Sequence, residues 1–377
     1  MSKLKIMTAF GTRPEAIKMA PLVKAIEADD RYESIVVVTA QHREMLDQVL
    51  EIFAVVPDYD LDIMKSGQTL TDITSRVLRE LDGVINKTKP DIILVHGDTT
   101  TTFAASLAAF YHQIKIGHVE AGLRTWNKYS PFPEEMNRQL TDVLSDLYFA
   151  PTIESKKNLL LENHGEEKIF ITGNTAIDAM KYTINSDYRN EILDSIENRR
   201  IILVTMHRRE NLGVPMINVF KAINRLVENF EDVIIVFPIH KNPKVRELAN
   251  DVLIESSRIK LIEPLDVVDF HNFASRSYMI LSDSGGVQEE APSLGIPVLV
   301  LRDTTERPEG ITAGTLKLVG TNEETVYSEA ESLILNTQEY IAMSKASNPY
   351  GDGKASLRIL DSIAYDFGIS VDKPVEF

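Results

Sequence analysis

Cysteine is absent from the sequence, which rules out disulfides and thiolate metal ligands. Long apolar runs are missing as well. No stretch approaches the ~20 residues that a membrane span needs. The apolar run near the start, within MSKLKIMTAFGTRPEAIK, is too short for the core of a signal peptide and reads as a buried strand. A cytoplasmic protein with no membrane partner is expected. Positive charge is scarce: 40 Lys and Arg stand against 56 Asp and Glu, a net charge of −16. The acidic residues are spread through the chain rather than collected in a tail, so the surface repels nucleic acid and anionic lipid. An anionic ligand would need cations gathered locally against that field.

What is present fits a globular protein, with 44% hydrophobic and 25% charged residues. A length of 377 residues suits two domains. Short runs rich in β-branched residues at 4–10, 34–39, 91–96, 115–119 and 146–150 alternate with helical patterns at 15–28, 70–86 and 101–112. The pattern restarts with runs at 200–205, 232–238, 259–262, 278–282 and 298–301, separated by helical stretches such as 214–229 and 243–254. Such alternation predicts parallel strands joined by right-handed crossovers, buried on both faces. The expected fold is α/β, with two doubly wound Rossmann-like domains facing each other across a cleft at the carboxyl ends of their strands. The boundary is placed near 172–174, after a run at 168–171, where Gly173 and Asn174 interrupt the pattern.

The polar motifs cluster at the ends of those strands. After the first strand, Gly11 permits a tight turn and Pro14 suits a first helical turn, so backbone N–H groups and Arg13 would point at an anion, with Lys18 one turn further. A capped helix with two solvated cations would use the same residues. Asp98 and Glu120 each place a carboxylate at a strand end. Asp98, Thr99 or Thr100 would serve equally as a helix cap, whereas Glu120, between Val119 and Ala121, needs a partner or a job. Glu134 and Glu135 open a helix, where the dipole alone favours them. Together these carboxylates form a candidate acid/base set in which burial and repulsion should raise at least one pKa. The H-x-x-x-H and EF-hand patterns of metal sites are missing, and no metal is expected.

In the second half, His207, Arg208 and Arg209 follow a strand and supply the local cationic cluster, which Arg307 would join. The Asp283-Ser284-Gly285-Gly286 turn runs from a strand into a helix. Without Cβ atoms, Gly285 and Gly286 let backbone N–H groups approach a diphosphate. Glu290 lies within reach of a ribose diol, and Phe270 is either core or a surface for a base. The turn is neither a dinucleotide fingerprint nor a P-loop, so neither NAD nor ATP is indicated and no cofactor is expected.

The strings FGTRPEAIKMAPL, HGDTTTTFA, HVEAGLRT, PFPEEMNR, HRREN, DSGGVQEEAPSLGIPVLVLRDTTERPEG and NPYGDGKAS occur in an order that resembles the non-hydrolysing UDP-N-acetylglucosamine 2-epimerases, whose fold is of the glycosyltransferase-B type. The resemblance runs from Phe10 to about Arg358. It implies that Arg13, Lys18, His207 and Arg307 contact substrate, largely through its phosphates. It further implies that Phe270 flanks the uracil, that Ser284, Gly285 and Gly286 hold the diphosphate, and that Glu290 holds the ribose. Asp98, Glu120 and Glu134 match the family's acid/base carboxylates, with His207 counted among the catalytic groups. A regulatory UDP-GlcNAc beside the active site would involve Gln41, Arg208 and His240; Gly67 departs from the arginine of the family pattern. The family's last helix crosses back, so residues 1–171 with 362–377 form one domain and 172–361 the other. A homodimer is implied.

The implied reaction is reversible epimerisation of UDP-GlcNAc to UDP-ManNAc at C2, feeding cell-surface polysaccharide or teichoic acid synthesis. C2–H is not next to a carbonyl, so the expected route is elimination of UDP to 2-acetamidoglucal, then re-addition. Alternatives are a glycosyltransferase of the same fold, a hydrolysing epimerase releasing ManNAc and UDP, and a non-catalytic nucleotide-sugar sensor.

Overall fold

A computed structural model describes residues 3–40, 43–65, 67–196 and 198–377. Thirteen strands are found among these residues. They are β1 (Leu4–Phe10), β2 (Tyr32–Val38), β3 (Tyr59–Asp60), β4 (Ile92–His96), β5 (Lys115–Val119), β6 (Leu147–Ala150), β7 (Ile169–Ile171), β8 (Arg200–Thr205), β9 (Val233–Pro238), β10 (Ile259–Ile262), β11 (Met279–Ser282), β12 (Val298–Val300) and β13 (Leu316–Leu318). All pair in parallel, in two sheets ordered β3-β2-β1-β4-β5-β6-β7 and β10-β9-β8-β11-β12-β13. Both are doubly wound α/β sheets.

The reason is visible in the strands. Ile6, Ile92 and Leu94 belong to one buried apolar cluster, while their neighbours Met7, Ile93 and Val95 belong to another. Successive side chains point to opposite faces, and here both faces are covered. The second sheet repeats the arrangement, with Ile202, Val204 and Leu281 on one side and Leu203, Val236 and Ile280 on the other. β3 and β13 had no counterpart in the sequence reading. They are edge strands of two and three residues, too short to carry a period.

The chain divides into two compact units, residues 1–182 with 351–377, and residues 183–350. The divisions fall after Tyr182 and before Gly351 rather than at 171/172 and 361/362. Asp178, on the helix Thr175–Thr183, accepts hydrogen bonds from the backbone N–H of Ala355 (3.1 Å) and Ser356 (2.9 Å). Those residues begin the helix Ala355–Asp366, so both helices stay with the first sheet. In each sheet the strand order reverses at one place, between β1 and β4 and between β8 and β11. Ligands of open α/β sheets bind outside the carboxyl ends of strands at such points. No helix among the described residues is long and apolar enough to cross a membrane.

Candidate active site

In the first unit, β1 runs into a turn at Gly11 and Thr12 and then the helix Arg13–Glu27. The turn was expected to offer its N–H groups to an anion. Glu15 occupies two of them, those of Gly11 and Thr12. Its carboxylate accepts from the N–H of Gly11 (3.1 Å) and Thr12 (2.8 Å), and from the hydroxyls of Thr99 (2.7 Å) and Thr102 (3.1 Å). With Thr12 as the N-cap this is a capping box that also ties the β1 turn to the β4 turn. Arg13 remains exposed at the helix start, and Lys18 one turn on forms an ion pair with Glu120.

Glu120 follows β5 with φ +65°, a left-handed conformation uncommon for a side chain of this size. Besides the Lys18 ammonium, its Oε2 accepts from Asn174 Nδ2 (3.0 Å) and lies 3.6 Å from His96 Nε2. Burial works to raise this carboxyl, but the Lys18 and His96 charges outweigh it and hold Glu120 well below the usual carboxylate range. Asp98 is perturbed in the opposite direction. Burial raises it, the Arg138 guanidinium 2.7 Å away opposes the rise, and the charges of Glu120 and Glu134 add to it. The same small region thus shifts two carboxyls in opposite directions.

Thr99, not Asp98, caps the helix Thr100–Tyr111. Glu135 is fully buried and accepts from the N–H groups of Thr125 and Trp126 (3.0 Å each) and from Gln139 (2.8 Å), so it is structural. Glu134, half-buried at the start of the helix Glu134–Leu144, makes no hydrogen bond or ion pair among the described residues. Its effect is the field it exerts on Asp98. Sequence reasoning missed His96, Asn174 and Arg138. The first lay inside a quoted motif, the second was read as a boundary, and the third stands one helical turn after Glu134.

In the second unit Asp283 organises the switch point. Fully buried, it accepts from the backbone N–H of His207 (3.0 Å) and Arg208 (2.9 Å) and from Asn211 Nδ2 (2.9 Å). The ends of β8 and β11 are further joined by the Thr205 and Ser282 hydroxyls at 2.6 Å. The His207 ring, with its side chain 45% exposed, lies 3.4 Å from Asp283 and stacks on His240 at 5.9 Å and 17°. Arg208 is half-buried, its Nε donating to Asp283 O at 3.2 Å. Of the proposed regulatory set, Arg208 and His240 therefore flank His207, and Gln41 lies outside the described residues.

Ser284 precedes the helix Gly285–Glu290 without making a side-chain cap. A Cβ on Gly285 would sit 2.7 Å from Arg307 Nη1, whereas one on Gly286 would meet only Glu290, at 3.8 Å. Gly285 is thus what lets the Arg307 guanidinium lie against the helix start. Arg307 donates through Nε to Glu289 (2.7 Å), and its carbonyl accepts from the buried Tyr350 hydroxyl (2.9 Å). Glu290 lies 3.4 Å from His271. Phe270, half-buried, packs on one apolar cluster of the second sheet. Among the described residues no group of three or more His, Asp or Glu side chains is placed to hold a metal ion.

The UDP-N-acetylglucosamine 2-epimerase family model matches residues 24–364. The Bacillus subtilis UDP-N-acetylglucosamine 2-epimerase is 61% identical over 377 residues, which is all of this chain and 99% of that protein. The S. aureus MnaA–UDP structure is 58% identical, covers 99% of this chain and all of its own, and superposes with a TM-score of 0.89. The Neisseria meningitidis UDP-GlcNAc 2-epimerase bound to UDP-GlcNAc is 49% identical, covering 96% of this chain and 99% of that one, with a TM-score of 0.84. The chain belongs to the UDP-N-acetylglucosamine 2-epimerase family.

Proposed function

We propose that this protein interconverts UDP-N-acetylglucosamine and UDP-N-acetylmannosamine by elimination and re-addition of UDP. The C1–O bond breaks with its electron pair leaving on UDP, and a carboxylate takes the C2 proton, forming the C1=C2 double bond of 2-acetamidoglucal. A proton then returns to the opposite face of C2 while a UDP oxygen adds at C1. Nothing is consumed, and the reverse direction uses the same groups with roles exchanged.

The observation that carries this reading is the pair of carboxylates just past the ends of β4 and β5, Asp98 held by Arg138 and Glu120 by Lys18 and Asn174. One forward turnover needs a group that takes the C2 proton and a group that returns one, and these two carboxyls are the candidates. In the second unit, Arg307 beside Gly285 and the uncapped helix start are the groups to which we assign the diphosphate. His207 stabilises charge on departing UDP, Glu290 takes the ribose and Phe270 the base. Arg13 and Lys18 assist from the first unit. Full-length relatives of this name, one solved with UDP-GlcNAc, support the substrate assignment. We place the enzyme in the cytoplasm, where its product, an activated sugar, is a donor for cell-surface polymers. We also assign a homodimer. Its support is an apolar face on the first unit, where Phe110, Tyr111 and Val143 are 55%, 68% and 70% exposed. A monomeric mass by light scattering would remove that assignment.

The reaction itself is tested in deuterated water with UDP-GlcNAc alone. UDP-ManNAc carrying deuterium at C2 is expected. Product that keeps its original hydrogen argues against proton exchange, and free ManNAc with UDP would mark a hydrolysing enzyme instead.

A further inference from the structure

His118 lies on β5, two residues before Glu120, and is fully buried. Its ring spans two elements. Nδ1 is 2.5 Å from Asp142 Oδ1 on the helix Glu134–Leu144, and Nε2 is 2.7 Å from the carbonyl oxygen of Gly97. A carbonyl can only accept a hydrogen bond. Asp142 accepts as well, because burial, which would raise it, is outweighed by His118 and Arg124, which lower it. Arg124 Nη2 lies 2.5 Å from the other Asp142 oxygen and 2.6 Å from Glu162. Nε2 of His118 therefore donates to Gly97, and Nδ1 lies against the Asp142 carboxylate. Such a buried, fully bonded chain of charged groups is stiff, and breaking one member leaves the rest unpaired.

What this chain grips is the residue before Asp98. Gly97 has φ +67°, and its N–H donates to Val119 O at 2.9 Å. The peptide groups on either side of Gly97 are thus bonded to two successive residues of β5, immediately ahead of Glu120. Asp98 is then held through its own carbonyl by Asn137 (3.0 Å) and through its carboxylate by Arg138.

We propose that His118 is a positioning residue. By donating to Gly97 O it sets where Asp98 stands relative to Glu120, and Asp142 holds the ring for that purpose. This rests on the acid/base assignment above. Misplacing a reacting group by about 1 Å costs on the order of a hundredfold in rate.

Two substitutions separate positioning from packing. The amide nitrogen of glutamine reaches the place of Nε2, and that of asparagine only the place of Nδ1. His118→Gln can keep the bond to Gly97, while His118→Asn can keep only the bond to Asp142. After wild-type turnover is established, H118N should lose roughly a hundredfold in kcat with KM within about threefold, and H118Q should stay within roughly tenfold of wild type. UDP affinity should be unchanged in both. If H118N equals or exceeds H118Q, or if the two follow melting temperature alone, the positioning role is wrong. Should neither variant fold, nitrogen NMR of the wild-type ring decides. A proton on Nε2 supports the clamp, and a bare Nε2 overturns it. Failure of wild-type turnover would instead strike the proposed reaction and leave the NMR result standing.

Discussion

The two units use the same device, a strand running through a glycine turn into a helix, and finish it in opposite ways. After β1, Thr12 and Glu15 form a capping box, so the carboxylate of the chain itself sits on the turn's N–H groups. After β11, Ser284 makes no cap, and the space a Cβ would take on Gly285 belongs to the Arg307 guanidinium. One turn is closed on an internal anion and the other is open beside a cation. The lesson is that a glycine-containing strand–helix turn announces a possible anion site, while the residue three positions into the helix decides whether the site is already filled. Charge follows the same division. Asp98 and Glu120 stand at the first switch point, each paired with a cation, and Arg208 and Arg307 at the second, beside Asp283 and Glu289.

The sharpest way to break this comparison is to remove the acids of the first unit. Asp98→Asn and Glu120→Gln should each lower kcat by roughly 10²–10⁴, with UDP affinity by calorimetry changed little. A comparable loss of UDP binding would show that the division of labour is false. Next in size is Gly285→Ala. Its Cβ displaces the end of a flexible side chain, so folding should be nearly untouched. UDP should bind roughly ten- to a hundredfold more weakly as one charged contact is lost. Unaltered binding would detach Arg307 from the phosphates. The caps themselves provide a stability contrast. Glu15→Ala strips a buried cap of four hydrogen bonds and should cost about 2–4 kcal/mol by urea denaturation. Ser284→Ala, which removes no cap, should cost under about 0.5 kcal/mol. Similar values for the two would undo the contrast.

The smallest effect concerns pH. Glu120 is lowered in the folded state, so its contribution to stability is complete above its ordinary value of 4.5 and is lost as pH falls through the lower folded value. Asp98 is raised, so its ionisation opposes folding once pH rises through its folded value. Acid unfolding of E120Q should therefore show a shallower decline below pH 4.5 than wild type. An identical acid limb would mean that Lys18 and His96 do not hold this carboxylate.

Much of the fold was legible because it rests on local rules. Uninterrupted apolar runs such as 92–95 and 201–204 fit strands buried on both faces, and alternation with amphipathic helices leaves few topologies. β1, β5, β8 and β10 begin and end where the pattern placed them. The site was legible as an inventory of charged residues at strand ends and not as an arrangement. Glu134 and Glu135 are adjacent and chemically alike, yet one is buried as a loop anchor and the other stands beside Asp98.

By itself, then, the sequence determined the two doubly wound sheets, the absence of disulfide and thiolate chemistry and the family, because composition, period and long strings of residues are properties of neighbours along the chain. Tertiary structure alone decided that Asn174 and His96 attend Glu120, and that His118 reaches Gly97. Those outcomes depend on distances between groups far apart in sequence. Electrostatic and hydrogen-bond energies change steeply with such distances and with burial, and neither is written in local order.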